Sequence, residues 1–220
     1  MIVKPAEHAE KALIERILDG QYPQGSFLPS ERDLAGLLGV TRPTLREALQ
    51  RLSRDGWLEI QQGKPTRVRH YWQEGGLALL GSLATHENIT PFIPHLLQIR
   101  TDLAPSYTKM AVENNPQAVE QHLSRTPEIP EDFVRFDWEL HRLLCLESGN
   151  PLYVLVLNGF REVYASAGLL YFQTQDARDL SGNFYRELRE AAIQKDALKA
   201  AELARTVCLN SQKLWSRGLS

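Results

Sequence analysis

Three glycines punctuate the first quarter of this chain and limit what it can become. Gly20, Gly39 and Gly56 each follow a short stretch whose apolar residues recur at helical spacing, and a glycine just past the last turn stops a helix at little steric cost. The first stretch carries Ala9, Leu13, Ile17 and Leu18. A loop follows, QYPQGSFLP, with Pro23, Gly25 and Pro29 as turn formers. Ser30 then opens the short helix SERDLAGLLG, with Asp33 placed three residues on for a reciprocal cap. Thr41 caps a third helix, and Pro43 in its first turn gives up a hydrogen bond that no helix makes there. After Gly56 the pattern turns to alternation. Leu58, Ile60 and Val68 with polar neighbours predict two short strands, joined by a turn of Gln62, Gly63, Lys64 and Pro65. Three helices and a hairpin in this order predict a winged helix-turn-helix.

Beyond Tyr71 nearly every segment has helical periodicity. Predicted helices cover 76–85, 91–113, 116–123, 131–148, 151–173, 176–194 and 196–217. Pro91, Pro116, Pro130 and Pro151 each stand near a predicted start, where proline belongs. The expected fold is mainly α. A winged helix-turn-helix domain spans 1–70, a linker loosened by Gly75 and Gly76 spans 71–76, and a larger all-α domain spans 77–220.

The totals give no sign of a polyanionic partner, because the net charge of the 220 residues is -2. The distribution does. Residues 1–70 carry 11 basic and 9 acidic side chains, whereas the rest carry 14 and 18. Between Thr41 and Arg54 Glu47 is the one acid among four arginines, so a polyanion would be met there. Cys145 and Cys208 are far apart, which suits a reducing cytosol and argues against a disulfide scaffold or a structural zinc. The first residues, MIVKPAEHAE, hold acids where a signal peptide is apolar. PLYVLVLNGF, the longest apolar piece, is too short for a membrane span. The expectation is a soluble cytoplasmic protein with no membrane partner.

Arg42 and Arg46 are one turn apart on the third helix and share a face near its start, the end that a recognition helix places in the major groove. Arginine suits that place because its fork bonds guanine O6 and N7 together. Thr41 and Thr44 offer hydroxyls and first-turn N–H groups to phosphate, and Arg32 on the preceding helix is a third candidate for reaching DNA. Gly63 and Lys64 at the hairpin tip are placed for backbone or minor-groove contact. By itself a mixed-charge amphipathic helix is an ordinary solvated surface; the short partner helix before it and the basic turn after it tip the reading to double-stranded DNA. QGKPT is not a phosphate loop, since Pro65 stands where the hydroxyl is needed and Gly56 is too far back.

These residues carry a resemblance. LPSERDLAGLLGVTRPTLREALQRLSRDGWL resembles the DNA-binding domain of the GntR family of bacterial regulators, without a gap. LLQIRTDLAP, ESGNPLY and LNGF resemble the ligand-binding domain of its FadR subgroup, and the wing DGWLEIQQGKPTRVRHYW and terminal NSQKLW resemble the branch that responds to fatty acids. The resemblance implies a homodimer that binds a palindromic operator and releases it when long-chain acyl-CoA binds the C-terminal domain. It also implies repression of fatty-acid degradation genes, activation of unsaturated fatty-acid synthesis, and no cofactor beyond that effector. By position it gives base reading to Arg32, Arg42 and Arg46, and backbone or wing contacts to Thr41, Thr44, Gly63 and Lys64. It places Arg100, Tyr164, Tyr171, Ser211 and Trp215 near the effector. The apolar character of Leu96, Leu97, Val156, Phe160, Leu169 and Phe172 suits them to line an acyl tunnel in an all-α domain. Apolar residues at helical spacing are otherwise ordinary core. Arg100 within an apolar helix is the sharper signal, since a buried arginine wants an anion. Two departures stand out: Gln62 replaces a histidine expected at the wing tip, and Cys208 replaces a glycine expected near the effector.

A competing site lies in DWELH, where Asp137 and His141 stand one turn apart at sound spacing for two metal ligands. Relatives in the wider subgroup sense a small carboxylate through a metal there, with two further histidines from the last helices. Here Arg186 and RTVCLN stand at those places, and no histidine follows His141. The expectation is therefore no metal, with an Asp–His hydrogen bond inside the bundle; a regulator of another pathway sensing a carboxylate through Asp137 and His141 is the alternative. His8, His70, His86, His95 and His122 show no usable spacing. No nucleophile–base motif occurs, so no catalytic residue and no enzyme is expected.

Overall fold

The computed structural model describes residues 4–84, 90–125 and 127–218. They fall into two compact units, Met1–Glu87 and Asn88–Ser220.

In the first unit, α1 (Pro5–Leu18) starts on Pro5 and buries Ala6, Ala9, Leu13, Ile14 and Ile17. Leu18, expected on that face, is only half-buried. The helix α2 (Glu31–Leu38) has the predicted cap: Ser30 Oγ accepts from the Asp33 amide at 3.3 Å and donates to the Asp33 carboxylate at 2.6 Å. Gly39 then turns the chain at φ 65. The helix α3 (Arg42–Asp55) begins under Thr41, ends at Gly56 with φ 99, and buries Leu45, Ala48, Leu49 and Leu52, packing on α1 and α2. The hairpin pairs β1 (Leu58–Glu59) with β2 (Arg67–Val68) in antiparallel register, Leu58 opposite Val68. Gly63 turns its tip at φ 74.

Three features of this unit differ from the expectation. The loop 21–29 contributes to the sheet: Phe27 bridges Arg67, Val68 donates to Ser26 O at 2.8 Å and Leu28 to Thr66 O at 2.8 Å. So short a pairing between two prolines leaves no alternation to read. The stretch 71–76, read as a linker, contains the helical turn α4 (Tyr71–Glu74), whose Tyr71 ring lies 4.8 Å from the fully buried Trp57. The next helix, α5 (Ala78–Ala84), falls in this first unit, where the sequence reading gave residues from 77 on to the larger domain. Thr85, the last residue of the predicted helix 76–85, lies outside the described residues, as does His86.

The second unit is a helical bundle. A 3-10 turn (Thr90–Phe92) leads into α6 (Ile93–Asn114), followed by α7 (Pro116–His122), α8 (Pro130–Glu147), α9 (Pro151–Gly159), α10 (Arg161–Tyr171), α11 (Gln175–Gln194) and α12 (Ala197–Gly218). The helix α6 packs along α12 and α8, and α12 along α11. The small buried residues Ala104 and Ala111 of α6 and Ala200 and Ala204 of α12 permit close approach of long helices. The expected single helix 151–173 is two. It breaks at Gly159, where Phe160 N donates to Leu157 O at 2.9 Å, because glycine costs a helix about 1 kcal/mol and the break lets Phe160 turn inward. Although strongly apolar, α9 has no fully buried residue; it forms one wall of a cleft. Among the described residues no helix is long and apolar enough to cross a membrane.

Candidate functional site

The first unit presents its basic helix to solvent. Arg46 Nε lies 2.8 Å from Glu31 Oε2, and Arg42 Nη2 lies 3.7 Å from the same oxygen. Both arginine side chains remain more than half exposed. Arg32 is the most open of the three, paired among the described residues only with its neighbour Asp33 at 3.3 Å. Thr41 spends its hydroxyl locally: Oγ1 accepts from the Thr44 amide at 3.3 Å and sits 2.8 Å from Thr44 Oγ1. The threonines therefore set the helix start as well as offering a hydroxyl pair. Arg51 faces elsewhere, onto Glu47 and Glu10. In the wing, Arg67 is held by Glu59 at 2.7 Å and Arg69 by Glu74 at 3.3 Å. Lys64 at the tip is exposed and has no ion pair among the described residues, with Gln62 and Gly63 exposed beside it. Arg32, Arg42 and Arg46 thus lie on α2 and α3, with Gly63 and Lys64 at the wing.

The second unit holds a narrow apolar cleft, open on one side. Arg100, Tyr164, Tyr171, Ser211 and Trp215 all line it. So do Leu96, Leu97, Val156, Phe160 and Phe172; Leu169 does not, being 46 % exposed on the outer side of α10. Cys208 is buried with Sγ 4.0 Å from Arg100 O and is not part of the lining. At one side Tyr171 donates to Ser211 Oγ at 2.9 Å, and Ser211 passes its own proton to Val207 O at 2.9 Å.

The polar end of the cleft is built around Arg100. Its Nη2 donates to Asp137 Oδ2 at 2.9 Å and contacts His141 Nε2, while Nη1 lies 3.4 Å from the Tyr164 hydroxyl. Asp137 also accepts from Tyr164, and from Tyr185 at 2.8 Å. The anion that Arg100 requires is thus Asp137 of this chain, and no ligand is needed to supply it. The expected direct Asp–His hydrogen bond is absent, since Nε2 and Oδ2 stand 3.8 Å apart and the guanidinium bridges them. A guanidinium can only donate, so His141 Nε2 accepts. Nδ1 then carries the ring proton and gives it to the Tyr107 hydroxyl 2.7 Å away. Tyr107 keeps its own proton, and among the described residues Arg100 Nε and Trp215 Nε1 have no partner. These groups offer donors.

Burial and the adjacent Arg100 depress His141 to a pKa of about 3, so the ring is neutral. Burial alone would raise Asp137, but Arg100 and the tyrosine hydrogen bonds outweigh it and hold the carboxyl below its usual range. Burial keeps Tyr107, Tyr164 and Tyr185 protonated, well above the ordinary phenol range. As arranged, Asp137 and His141 do not fit a divalent cation, because a guanidinium already lies between them. Among the described residues no three acidic, histidine or cysteine side chains gather as a metal set.

Three contributors escaped the sequence reading. Tyr107 was legible, two turns after Arg100 on the same face of α6. Glu31 hides as a first-turn acid of α2. Tyr185 arrives from a helix 48 residues beyond Asp137 and leaves no local signal.

Comparison with known proteins agrees with this architecture. Residues 5–68 match the family described as bacterial regulatory proteins, gntR family, and residues 69–219 match the FadR C-terminal domain. The fatty acid metabolism regulator protein of Shewanella denitrificans is 45% identical over 218 residues, covering 97% of this chain and 91% of that protein. Its namesake from Shewanella oneidensis is 44% identical, covering 96% and 90%. Among solved structures, that of Lar from Listeria monocytogenes aligns with a TM-score of 0.58 at 18% identity over 99% of both chains, a likeness of fold. The chain belongs to the GntR family of bacterial regulatory proteins, in the form that carries a FadR C-terminal domain.

Proposed function

We propose that this protein is a dimeric transcriptional regulator of fatty-acid metabolism that binds a palindromic operator and is released from it by long-chain acyl-CoA. It represses fatty-acid degradation genes and activates unsaturated fatty-acid synthesis. The observation that carries the ligand class is the cleft: apolar walls from α6, α9 and α10, with Arg100, Tyr107 and Trp215 in the lining and buried Arg100 Nε and Trp215 Nε1 without partners among the described residues. An acyl chain ending in a carbonyl matches that pattern, because each buried donor needs an acceptor. At about 0.8 kcal/mol per buried CH₂, a sixteen-carbon tail contributes about 12 kcal/mol before the costs of binding. Relatives named fatty acid metabolism regulator protein support the same pathway. On the DNA side, Arg32, Arg42 and Arg46 read bases, Thr41 and Thr44 hold phosphate, and Gly63 and Lys64 serve the wing. Ligand acts through its differential affinity for the DNA-bound and released states, so strong switching needs several kcal/mol.

The test is fluorescence anisotropy on a labelled palindromic duplex selected by the protein from random sequence. Long-chain acyl-CoA, free fatty acid, free CoA, and citrate with zinc are titrated separately. Release by acyl-CoA alone is the expected result. Release only by the carboxylate with metal would move the working site to Asp137 and His141, and no release by any of them would remove this ligand class.

A further inference from the structure

Arg100 is the one ionised side chain among those lining the cleft; His141 is neutral there. Its charge is already matched. Asp137, 1% exposed and absent from the lining, places Oδ2 2.9 Å from Arg100 Nη2. Tyr164 and Tyr185 fill further positions on the carboxylate, so Asp137 is held where it is. Arg100 lines the cleft, and what it has left to give is a donor without net charge: its buried Nε has no partner among the described residues. An uncharged carbonyl oxygen satisfies such a group. A carboxylate placed there would be a second anion on one cation, desolvated and close to Asp137.

We propose that Asp137 is a specificity-determining residue that sets the charge class of the ligand. By matching Arg100 it makes the polar end of the cleft neutral, so acyl thioesters and esters enter while the free fatty-acid carboxylate is turned away. This rests on the acyl reading of the cleft. Asp137 touches no ligand and acts through Arg100. Asp137→Asn keeps the shape and one acceptor for the tyrosines, but leaves the guanidinium unmatched and ready for an anion.

The experiment is equilibrium binding by the full chain, followed by tryptophan fluorescence, with one long-chain fatty acid as its CoA thioester, its methyl ester and its free carboxylate. Native protein is expected to bind the thioester and methyl ester about tenfold or more tightly than the carboxylate. Asp137→Asn is expected to reverse the order of methyl ester and carboxylate by a similar factor. The methyl ester separates this effect from any contribution of the CoA phosphates. Native protein that takes the carboxylate as tightly as the ester overturns the proposal, and so does a folded Asp137→Asn that keeps the native order. Should Asp137→Asn not fold, the native comparison still decides. The charge-free double variant Asp137→Asn with Arg100→Gln is expected to retain the preference for ester, and a preference for carboxylate there overturns the proposal. Absence of binding by all three ligands to native protein would instead remove the acyl reading on which this rests.

Discussion

Arg46 on α3 and Arg100 on α6 each pair with one carboxylate at nearly the same distance, 2.8 Å to Glu31 and 2.9 Å to Asp137. Their surroundings make these different objects. Arg46 is 60% exposed and Glu31 35%, whereas Arg100 is 18% exposed and Asp137 1%. An exposed pair contributes about 0–1 kcal/mol and is screened by salt. Arg42 and Arg46 can therefore leave Glu31 for a phosphate or a guanine at little cost. A buried pair cannot be parted without stranding a charge, at about 3–5 kcal/mol. The first unit keeps its arginines available; the second keeps its arginine committed, and offers a ligand only the N–H that the commitment leaves over.

The largest effect should come from breaking the committed pair. Arg100→Ala strands Asp137 and should lower stability by about 3–5 kcal/mol in urea unfolding; a loss under 1 kcal/mol would make the two pairs alike and sink the comparison. Acid should come next. His141 sits at a pKa of about 3 in the fold against 6.5 when free, so the unfolded chain takes up the proton first as pH falls. Stability should be full above pH 6.5 and decline between 6.5 and 3 by up to about 4 kcal/mol. Asp137, held below its usual range, adds a further loss that begins near pH 3.8, where the unfolded chain takes up its proton, and is complete once the folded carboxyl protonates. His141→Gln should flatten the first part of that decline, read from urea midpoints across pH. Arg46→Ala should cost about 1–3 kcal/mol of discrimination between operator and mismatched duplex, measured by competition. The smallest effects test how loosely the surface pair is held. Glu31→Ala should change stability by no more than about 1 kcal/mol while tightening DNA binding, and several kcal/mol of destabilisation would show that the pair is structural. Lys64→Ala should weaken all duplexes evenly and reduce the salt slope by about 1.

Legibility followed locality. Ser30 with Asp33, Thr41 with Thr44, and the stops at Gly39 and Gly56 involve partners within four residues, so the helices around the basic face could be read directly. The third chain of the wing sheet could not, because Ser26 and Leu28 find their partners some forty residues away. The break at Gly159 was visible as a glycine but not as a break, since an isolated glycine is often carried within a helix. In the cleft, the residues that came by family resemblance all meet at the lining, and of the six argued from apolar character only Leu169 points outward.

By itself, the sequence determined the three helices of the first unit with their stops, the basic face of α3 and the presence of an arginine in an apolar helix. These follow from caps, periodicity and charge, all short-range along the chain. Only the tertiary structure decided what that arginine means. Asp137, His141 and Tyr164 reach Arg100 from α8 and α10, Tyr185 of α11 holds Asp137, and these pairings settle the charge at Arg100, the tautomer of His141 and the neutral character of the cleft. Burial sets the strength of each of these interactions, and burial is a property of helices packed together.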